Sequence, residues 1–167
     1  MAPSKGNAQA QAGPRTLTVL LVEDERPTAR VTAEWLRRLG YEVIVCGDGR
    51  EATELAVGRK EPIDLLLADV MLPGLRGPVL AGLLQNSHPE MAVLFSSGYS
   101  PELLAEMFTS TMESALLLYK PYTSEQLASR VHLALARKAA LRHVTEPTSE
   151  AEGRRRQRHK STTTPRG

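Results

Sequence analysis

The feature that most constrains the fold of this chain is an alternation of five short apolar runs with longer segments of helical periodicity. Apolar runs ended by turn residues are typical of strands that are buried on both faces of a sheet. The intervening segments are long enough for the crossover helices that join parallel strands. The sequence therefore predicts an α/β domain, a doubly wound (βα)5 arrangement around a five-stranded parallel sheet. The predicted strands are 17–22, 41–46, 63–69, 91–97 and 114–120.

The segments between these runs carry helix signals at their ends. Pro27 stands near the first position of a helix, and Gly40 suits the left-handed position after that helix. Thr123, with Gln126 three residues later, resembles a capping box at the start of the last helix. The predicted helices are 28–39, 49–60, a segment from Gly77 to Pro89, a segment opening at Pro101, and 123–142.

A carboxylate, Asp69, ends the third apolar run, where its charge is costly unless something compensates it. The first run ends in Glu23 and Asp24, and function in an open α/β sheet gathers at such carboxyl ends. Three carboxylates on neighbouring strand ends repel one another, but they suit a hard divalent cation such as Mg²⁺. Lys120, at the end of the fifth run, would supply a second cation for a carboxylate or a phosphoryl group. Ser97, at the end of the fourth run, adds a hydroxyl donor.

Four segments at these strand ends resemble, in their order and spacing, the motifs of one family. They are VLLVEDE (19–25), DVMLPGLRG (69–77), LFSSGY (94–99) and YKPY (119–122). Together they resemble the receiver domain of two-component response regulators, of the stand-alone, single-domain type. The resemblance implies a flavodoxin-like receiver fold and a phosphoacceptor signalling protein rather than an enzyme.

The resemblance also implies roles for the acidic residues. Asp69 would be the phosphoacceptor, which takes a phosphoryl group from a phosphohistidine of a sensor histidine kinase. Glu23, Asp24 and Asp69 would hold Mg²⁺ together with the backbone carbonyl of Met71. Glu23 departs from the Asp that is frequent at this position, and its longer side chain would reach the ion directly or through water.

Lys120 and Ser97 complete the catalytic set that the resemblance implies. Lys120 would neutralise charge on the transferring phosphoryl group, and Pro121 would follow it through a cis peptide bond. Ser97 would hydrogen-bond the attached phosphoryl group and move toward it. Leu117 departs from the family pattern, because many receivers place an aromatic residue three positions before the lysine.

Composition separates two tails from the folded part. Residues 1–15 and 143–167 are poor in large apolar side chains and are predicted to be disordered, which leaves 16–142 as the receiver domain. The domain carries thirteen Lys and Arg against sixteen Asp and Glu, whereas 143–167 carries six against three. The basic character therefore belongs to the ends. We expect 143–167 to be a solvated tail, with nucleic-acid binding through its RRRQRHK run as an alternative.

Three features of the sequence bear on the location of the protein. The single cysteine, Cys46, allows no internal disulfide and fits a reducing cytoplasm. No apolar stretch is long enough for a membrane helix, and the first residues lack the apolar region of a secretory signal. With the resemblance, these features predict a bacterial, cytoplasmic protein without membrane contact.

The resemblance implies output through protein–protein contacts. Expected partners are a sensor histidine kinase, a histidine phosphotransfer protein, and a second copy bound through the fourth helix, fifth strand and fifth helix. The segment 143–167 is too short and too polar for a DNA-binding winged helix. A receiver detached from a hybrid histidine kinase is an alternative, since SSGY and LYKPY resemble kinase-attached receivers. A phosphohydrolase with an Asp24 nucleophile is disfavoured, because such enzymes carry a second Asp where this chain has Arg26.

Overall fold

The computed structural model describes residues 15–107 and 116–145, with side chains up to residue 141. Within these ranges strands and helices alternate in the order that the sequence predicts. The strands are β1 (Thr18–Val22), β2 (Glu42–Cys46), β3 (Leu65–Asp69), β4 (Ala92–Ser97) and β5 (Leu116–Tyr119). The helices are α1 (Arg26–Arg38), α2 (Gly49–Gly58), α3 (Gly77–Ser87), α4 (Pro101–Met107) and α5 (Ser124–Thr145).

The strands form one parallel sheet in the order β2-β1-β3-β4-β5. Val19 of β1 pairs with Leu65 of β3, and Asp69 of β3 pairs with Ser96 of β4. The carboxyl ends of β1 and β3 therefore lie side by side in the middle of the sheet. This topology confirms the predicted five-stranded, doubly wound (βα)5 fold.

Both faces of the sheet are buried, because successive side chains of a strand point to opposite sides. One face packs against α1 and α5, and the other packs against α2, α3 and α4. The first face buries Val19, Leu21, Leu36, Leu65, Leu67, Leu94, Leu127 and Val131. The second buries Leu20, Val22, Ala52, Leu66, Ala68, Leu80, Leu84, Phe95 and Leu104. This double burial explains why the central strands read as continuous apolar runs.

The helix ends follow the local sequence signals, with small shifts. α1 begins at Arg26 rather than at the predicted residue 28, and Pro27 lies in its first turn. Gly40 has φ +91, the left-handed conformation expected after this helix. The capping box is confirmed: the amide of Thr123 donates to Gln126 Oε1 at 2.9 Å, and the amide of Gln126 donates to Thr123 Oγ1 at 3.3 Å. α5 extends to Thr145, past its predicted end at 142.

An ion pair lies at the amino-terminal end of the sheet, next to the start of β1 and β3. Arg15, which the sequence assigned to the tail, instead pairs with Asp64, and one of these contacts measures 2.9 Å. Asp64 also accepts a hydrogen bond from the amide of Thr18 at 2.8 Å. The rest of the predicted N-terminal tail, residues 1–14, and the C-terminal segment 146–167 lie outside the described residues. No helix in the described part of the chain is both long and apolar enough to span a bilayer.

Candidate functional site

An acidic cluster forms where β1 and β3 end. Glu23 and Asp24 follow β1, and Asp69 is the last residue of β3. Ligand oxygens of these three carboxylates all lie within 4.8 Å of one another. Glu23 is buried, Asp69 is partly buried and Asp24 is exposed. The predicted convergence of the three carboxylates is therefore confirmed, and the cluster opens to solvent on the side of Asp24.

The negative charge of Asp69 is compensated by Lys120. Its ammonium group lies 2.5 Å from Asp69 Oδ2 and 2.6 Å from Glu23 Oε2. β5 lies two strands away from β3, so the lysine side chain reaches across the end of β4. Its backbone amide donates to the carbonyl of Ser97 at 2.7 Å, and the Lys120-Pro121 bond is cis, as predicted.

Burial and charge shift the pKa values of two of these groups. Burial raises the pKa of Glu23, and the neighbouring Asp69 adds to this effect against the opposing pull of Lys120. Burial lowers the pKa of Lys120, but its hydrogen bonds to Asp69 and Glu23 outweigh that and raise it above the ordinary value. The lysine is therefore a protonated cation at neutral pH. It neutralises only part of the charge of three carboxylates.

Backbone contacts from the following loop fix the position of Asp69. The amide of Met71 donates to Asp69 Oδ1 at 2.8 Å. A Cβ atom built on Gly77 would lie 2.3 Å from the carbonyl oxygen of Asp69. The first turn of α3 therefore lies directly against the strand end, which only glycine permits. The sequence indicates only a helix boundary at Gly77, so this contact was not predicted.

Ser97 lies beside the cluster at the end of β4. Ser97 is fully buried, and its Oγ accepts a hydrogen bond from the amide of Tyr99 at 3.0 Å. The register partner of Asp69 is Ser96, so Ser97 stands one residue farther along. Leu117 of β5 pairs with Phe95 and packs against the core. The aliphatic side chain thus occupies a packed position on the α4 side of the sheet.

Cys46 does not belong to the site. It is 1% exposed, and burial raises the pKa of its thiol to about 11. A thiol with such a pKa stays protonated and is a poor nucleophile. The cysteine therefore acts as a small apolar residue of the core, as its strand context predicts.

Comparison with known families agrees with this arrangement of side chains at the strand ends. The model of the response regulator receiver domain matches residues 19–132, which includes the carboxyl end of every strand. The chain belongs to the response regulator receiver family. Receiver domains are signalling domains of two-component systems, and the curated relatives are bacterial.

Curated relatives carry this receiver domain in longer proteins. The chain is 33% identical over 114 residues to sensor kinase CckA of Brucella abortus, which covers 68% of this chain and 12% of the relative. It is 30% identical over 119 residues to transcriptional regulatory protein CpxR of Escherichia coli, which covers 71% of this chain and 49% of the relative. The chain thus spans at most about half the length of these two relatives.

Solved structures of receiver domains have the same fold. The receiver domain of the hybrid histidine kinase CckA aligns with a TM-score of 0.60 at 36% identity, covering 71% of this chain and 98% of that one. A receiver domain protein from Clostridium thermocellum aligns with a TM-score of 0.64 at 25% identity, covering 75% and 98%.

The donor set of this receiver suits Mg²⁺, which receiver domains bind in their acidic pocket. Magnesium prefers hard oxygen ligands and retains several waters, so it needs few protein ligands and an open side. Glu23, Asp24 and Asp69 provide carboxylate oxygens, and the exposure of Asp24 leaves room for water. The residues present therefore fit the ion.

Proposed function

We propose that this receiver accepts a phosphoryl group on Asp69 from a phosphohistidine of a sensor histidine kinase. The observation that carries the proposal is the Asp69 carboxylate at a strand end, contacted by Lys120 and surrounded by further carboxylates. In the reaction an oxygen of Asp69 forms a bond to phosphorus as the phosphorus–nitrogen bond of the donor breaks. The histidine leaves with the electron pair of that bond and takes up a proton, and an acyl phosphate remains on Asp69.

The chain's own residues prepare Asp69 for this attack. The amide of Met71 holds Oδ1, and the ammonium group of Lys120 holds Oδ2, so the carboxylate has a fixed orientation. As negative charge arrives with the phosphoryl group, Lys120 moves from Asp69 Oδ2 to a phosphoryl oxygen. Phosphoryl transfer depends mostly on such positioning and charge neutralisation.

Magnesium would be held by Glu23, Asp24 and Asp69 with the backbone carbonyl of Met71. When bound, the ion would supply positive charge to the phosphoryl oxygens. Ser97 would donate its hydroxyl hydrogen to the attached group. Because that hydroxyl oxygen also accepts from the amide of Tyr99, its movement would carry the β4–α4 loop with it.

Phosphorylation at Asp69 is tested by incubating the protein with acetyl phosphate, or with a phosphorylated kinase, and measuring the phosphoprotein by mass spectrometry. Asp69→Asn is nearly isosteric and should abolish the modification. Asp64→Asn is the matched control, because Asp64 lies next to the opposite end of β3 and should leave labelling intact. Full modification of the Asp69→Asn variant would refute the assignment.

A position in a phosphorelay is a second candidate function. It is favoured by the 33% identity to sensor kinase CckA and the 36% identity to the receiver of the hybrid histidine kinase CckA. In this case Asp69 would pass its phosphoryl group on to a histidine phosphotransfer protein. Purified phosphorylated receiver mixed with such a protein should lose its label to a histidine of the partner. Loss of label only to inorganic phosphate would refute a relay.

Output would proceed through protein contacts on the face formed by α4, β5 and α5. This face exposes Leu103, Tyr119 and Leu133, one from each element. It would form a homodimer on phosphorylation, which sedimentation velocity with and without acetyl phosphate measures. Leu133→Lys should prevent the dimer, whereas Val57→Lys, on α2, should not. An unchanged sedimentation coefficient on phosphorylation would contradict this route.

A further inference from the structure

A pair of hydroxyl groups joins α1 to the loop after Lys120. The hydroxyl of Tyr122 lies 2.9 Å from Oγ1 of Thr32, and the two residues are 90 positions apart in the chain. Thr32 is only 2% exposed, so its hydroxyl has little access to solvent. A buried hydroxyl without a partner is costly, which makes this hydrogen bond a constraint on the loop.

Aromatic packing holds the ring of Tyr122 in place. Trp35 of α1 meets it edge to face, with 6.4 Å between ring centroids and 63° between planes. Burial raises the pKa of the Tyr122 phenol, so its hydroxyl keeps its proton at neutral pH. Together with Lys120, these side chains line a cavity of about 500 Å³ between α1 and the loop.

The helix that anchors Tyr122 also follows the acidic residues. α1 begins at Arg26, two positions after Asp24, so it continues directly from the loop that carries Glu23. The hydrogen bond between Thr32 and Tyr122 therefore connects the loop that follows Lys120 with the helix that follows Glu23 and Asp24. The backbone of Lys120 itself is held by a 2.7 Å hydrogen bond from its amide to the carbonyl of Ser97.

We propose that Thr32 and Tyr122 are positioning residues for Lys120. Their hydrogen bond holds the β5–α5 loop on α1, so that the ammonium group stays in contact with Asp69 and Glu23. The kinetic part of this inference rests on the proposed phosphotransfer, during which Lys120 moves from Asp69 to a phosphoryl oxygen. A fixed loop confines that movement to the side chain, and misplacement of a catalytic group by ~1 Å can cost ~100-fold in rate.

The first test compares rates of phosphorylation by acetyl phosphate. Thr32→Val keeps the shape of the side chain without its hydroxyl, and Thr32→Ser keeps the hydroxyl. We expect Thr32→Val and Tyr122→Phe each to lower the maximal rate by about 3- to 10-fold. The donor concentration at half-maximal rate should not change, and Thr32→Ser should stay within about 2-fold of wild type. The double variant should be no slower than either single variant, because both remove the same bond.

Tyr41→Phe is the matched control for loss of a partly buried phenol hydroxyl, because Tyr41 precedes β2 on a distant part of the fold. It should phosphorylate at the wild-type rate. Equal rates for Thr32→Val and wild type would overturn the inference. A slow Thr32→Ser with a normal Thr32→Val would also overturn it, because packing rather than the hydroxyl would then matter.

The second test does not depend on phosphotransfer. Lysine amines are acetylated briefly with acetic anhydride, and labelling of Lys120 is compared by mass spectrometry with that of Lys138, which contacts the carbonyl of Pro89 on another part of the fold. The Lys120 to Lys138 ratio should rise several-fold in Thr32→Val and Tyr122→Phe but not in Tyr41→Phe. An unchanged ratio refutes the positioning role. A raised ratio in a protein that accepts no phosphoryl group refutes the proposed function and retains the positioning role.

Discussion

The contact between Gly77 and Asp69 leads to a prediction in which two substitutions of the same type, in one helix, have opposite effects. Replacing Gly77 by alanine adds one methyl group at the start of α3. That carbon would lie 2.3 Å from the carbonyl oxygen of Asp69 and 3.2 Å from the Cα of Val70. All of these neighbours are backbone atoms, so no side chain can rotate away.

The size of the effect follows from these distances. A carbon atom needs about 3 Å from an oxygen, so the strand end and the helix must separate by about 0.7 Å. Overpacking of this kind costs ~1–3 kcal/mol, and we expect ~2–3 kcal/mol because only backbone can move. The same shift displaces the phosphoacceptor, and the rate of phosphorylation should fall at least ~10-fold.

Gly82→Ala is the control, since Gly82 lies inside the same helix and an added Cβ would meet no atom within 4 Å apart from the neighbouring backbone of that helix. This substitution should stabilise the domain by ~0.5–1 kcal/mol and leave phosphorylation unchanged. Urea denaturation gives both free energies of unfolding, and acetyl phosphate labelling gives both rates. If Gly77→Ala were as stable as wild type and phosphorylated as fast, the close contact would not exist in solution.

Three further predictions concern the acidic cluster and one helix cap. Because the pKa of Glu23 is raised in the folded state, the contribution of Glu23 to stability should decline as pH rises from about 4.5 through that raised pKa. The difference in free energy of unfolding between wild type and Glu23→Gln should therefore fall across this range in denaturation curves measured between pH 4 and 7, and a constant difference would contradict the shift. Mg²⁺ at 100 times its dissociation constant should raise the free energy of unfolding by about 2.7 kcal/mol, and Asp24→Asn should weaken this effect. If Mg²⁺ does not stabilise the wild type, the acidic cluster is not an ion site. Thr123→Ala removes the side-chain acceptor for Gln126 and should cost ~1 kcal/mol without changing the phosphorylation rate, which thermal melting and labelling measure.

Much of the fold was predictable because its signals are local in the sequence. The apolar runs, Gly40 after α1 and the Thr123–Gln126 capping box each depend on a few neighbouring residues, and each is confirmed. The convergence of the acidic residues was predictable as well, because parallel strands end at one edge of a sheet. The predicted roles of the site residues remain proposals for experiment.

Contacts between distant segments were not predictable from the sequence. The bridge from Lys120 to both Glu23 and Asp69 depends on how far a side chain on β5 reaches across β4. The Thr32–Tyr122 hydrogen bond depends on the angle at which α1 packs, which periodicity does not specify. Arg15 was assigned to a tail because its partner, Asp64, lies 49 positions away.

The long separation between Lys120 and its acidic partners has a consequence for synthesis on the ribosome. Lys120 follows Asp69 by 51 residues and Glu23 by 97. At ~5–20 residues per second, a growing chain therefore carries Asp69 for ~3–10 s before its cation has been made. During this interval β1 and β3 can meet only without the ammonium group that contacts Asp69 and Glu23 in the complete fold. We expect the nascent chain to complete its fold after β5 and α5 have left the exit tunnel, so that chains stalled before residue 120 remain protease-sensitive.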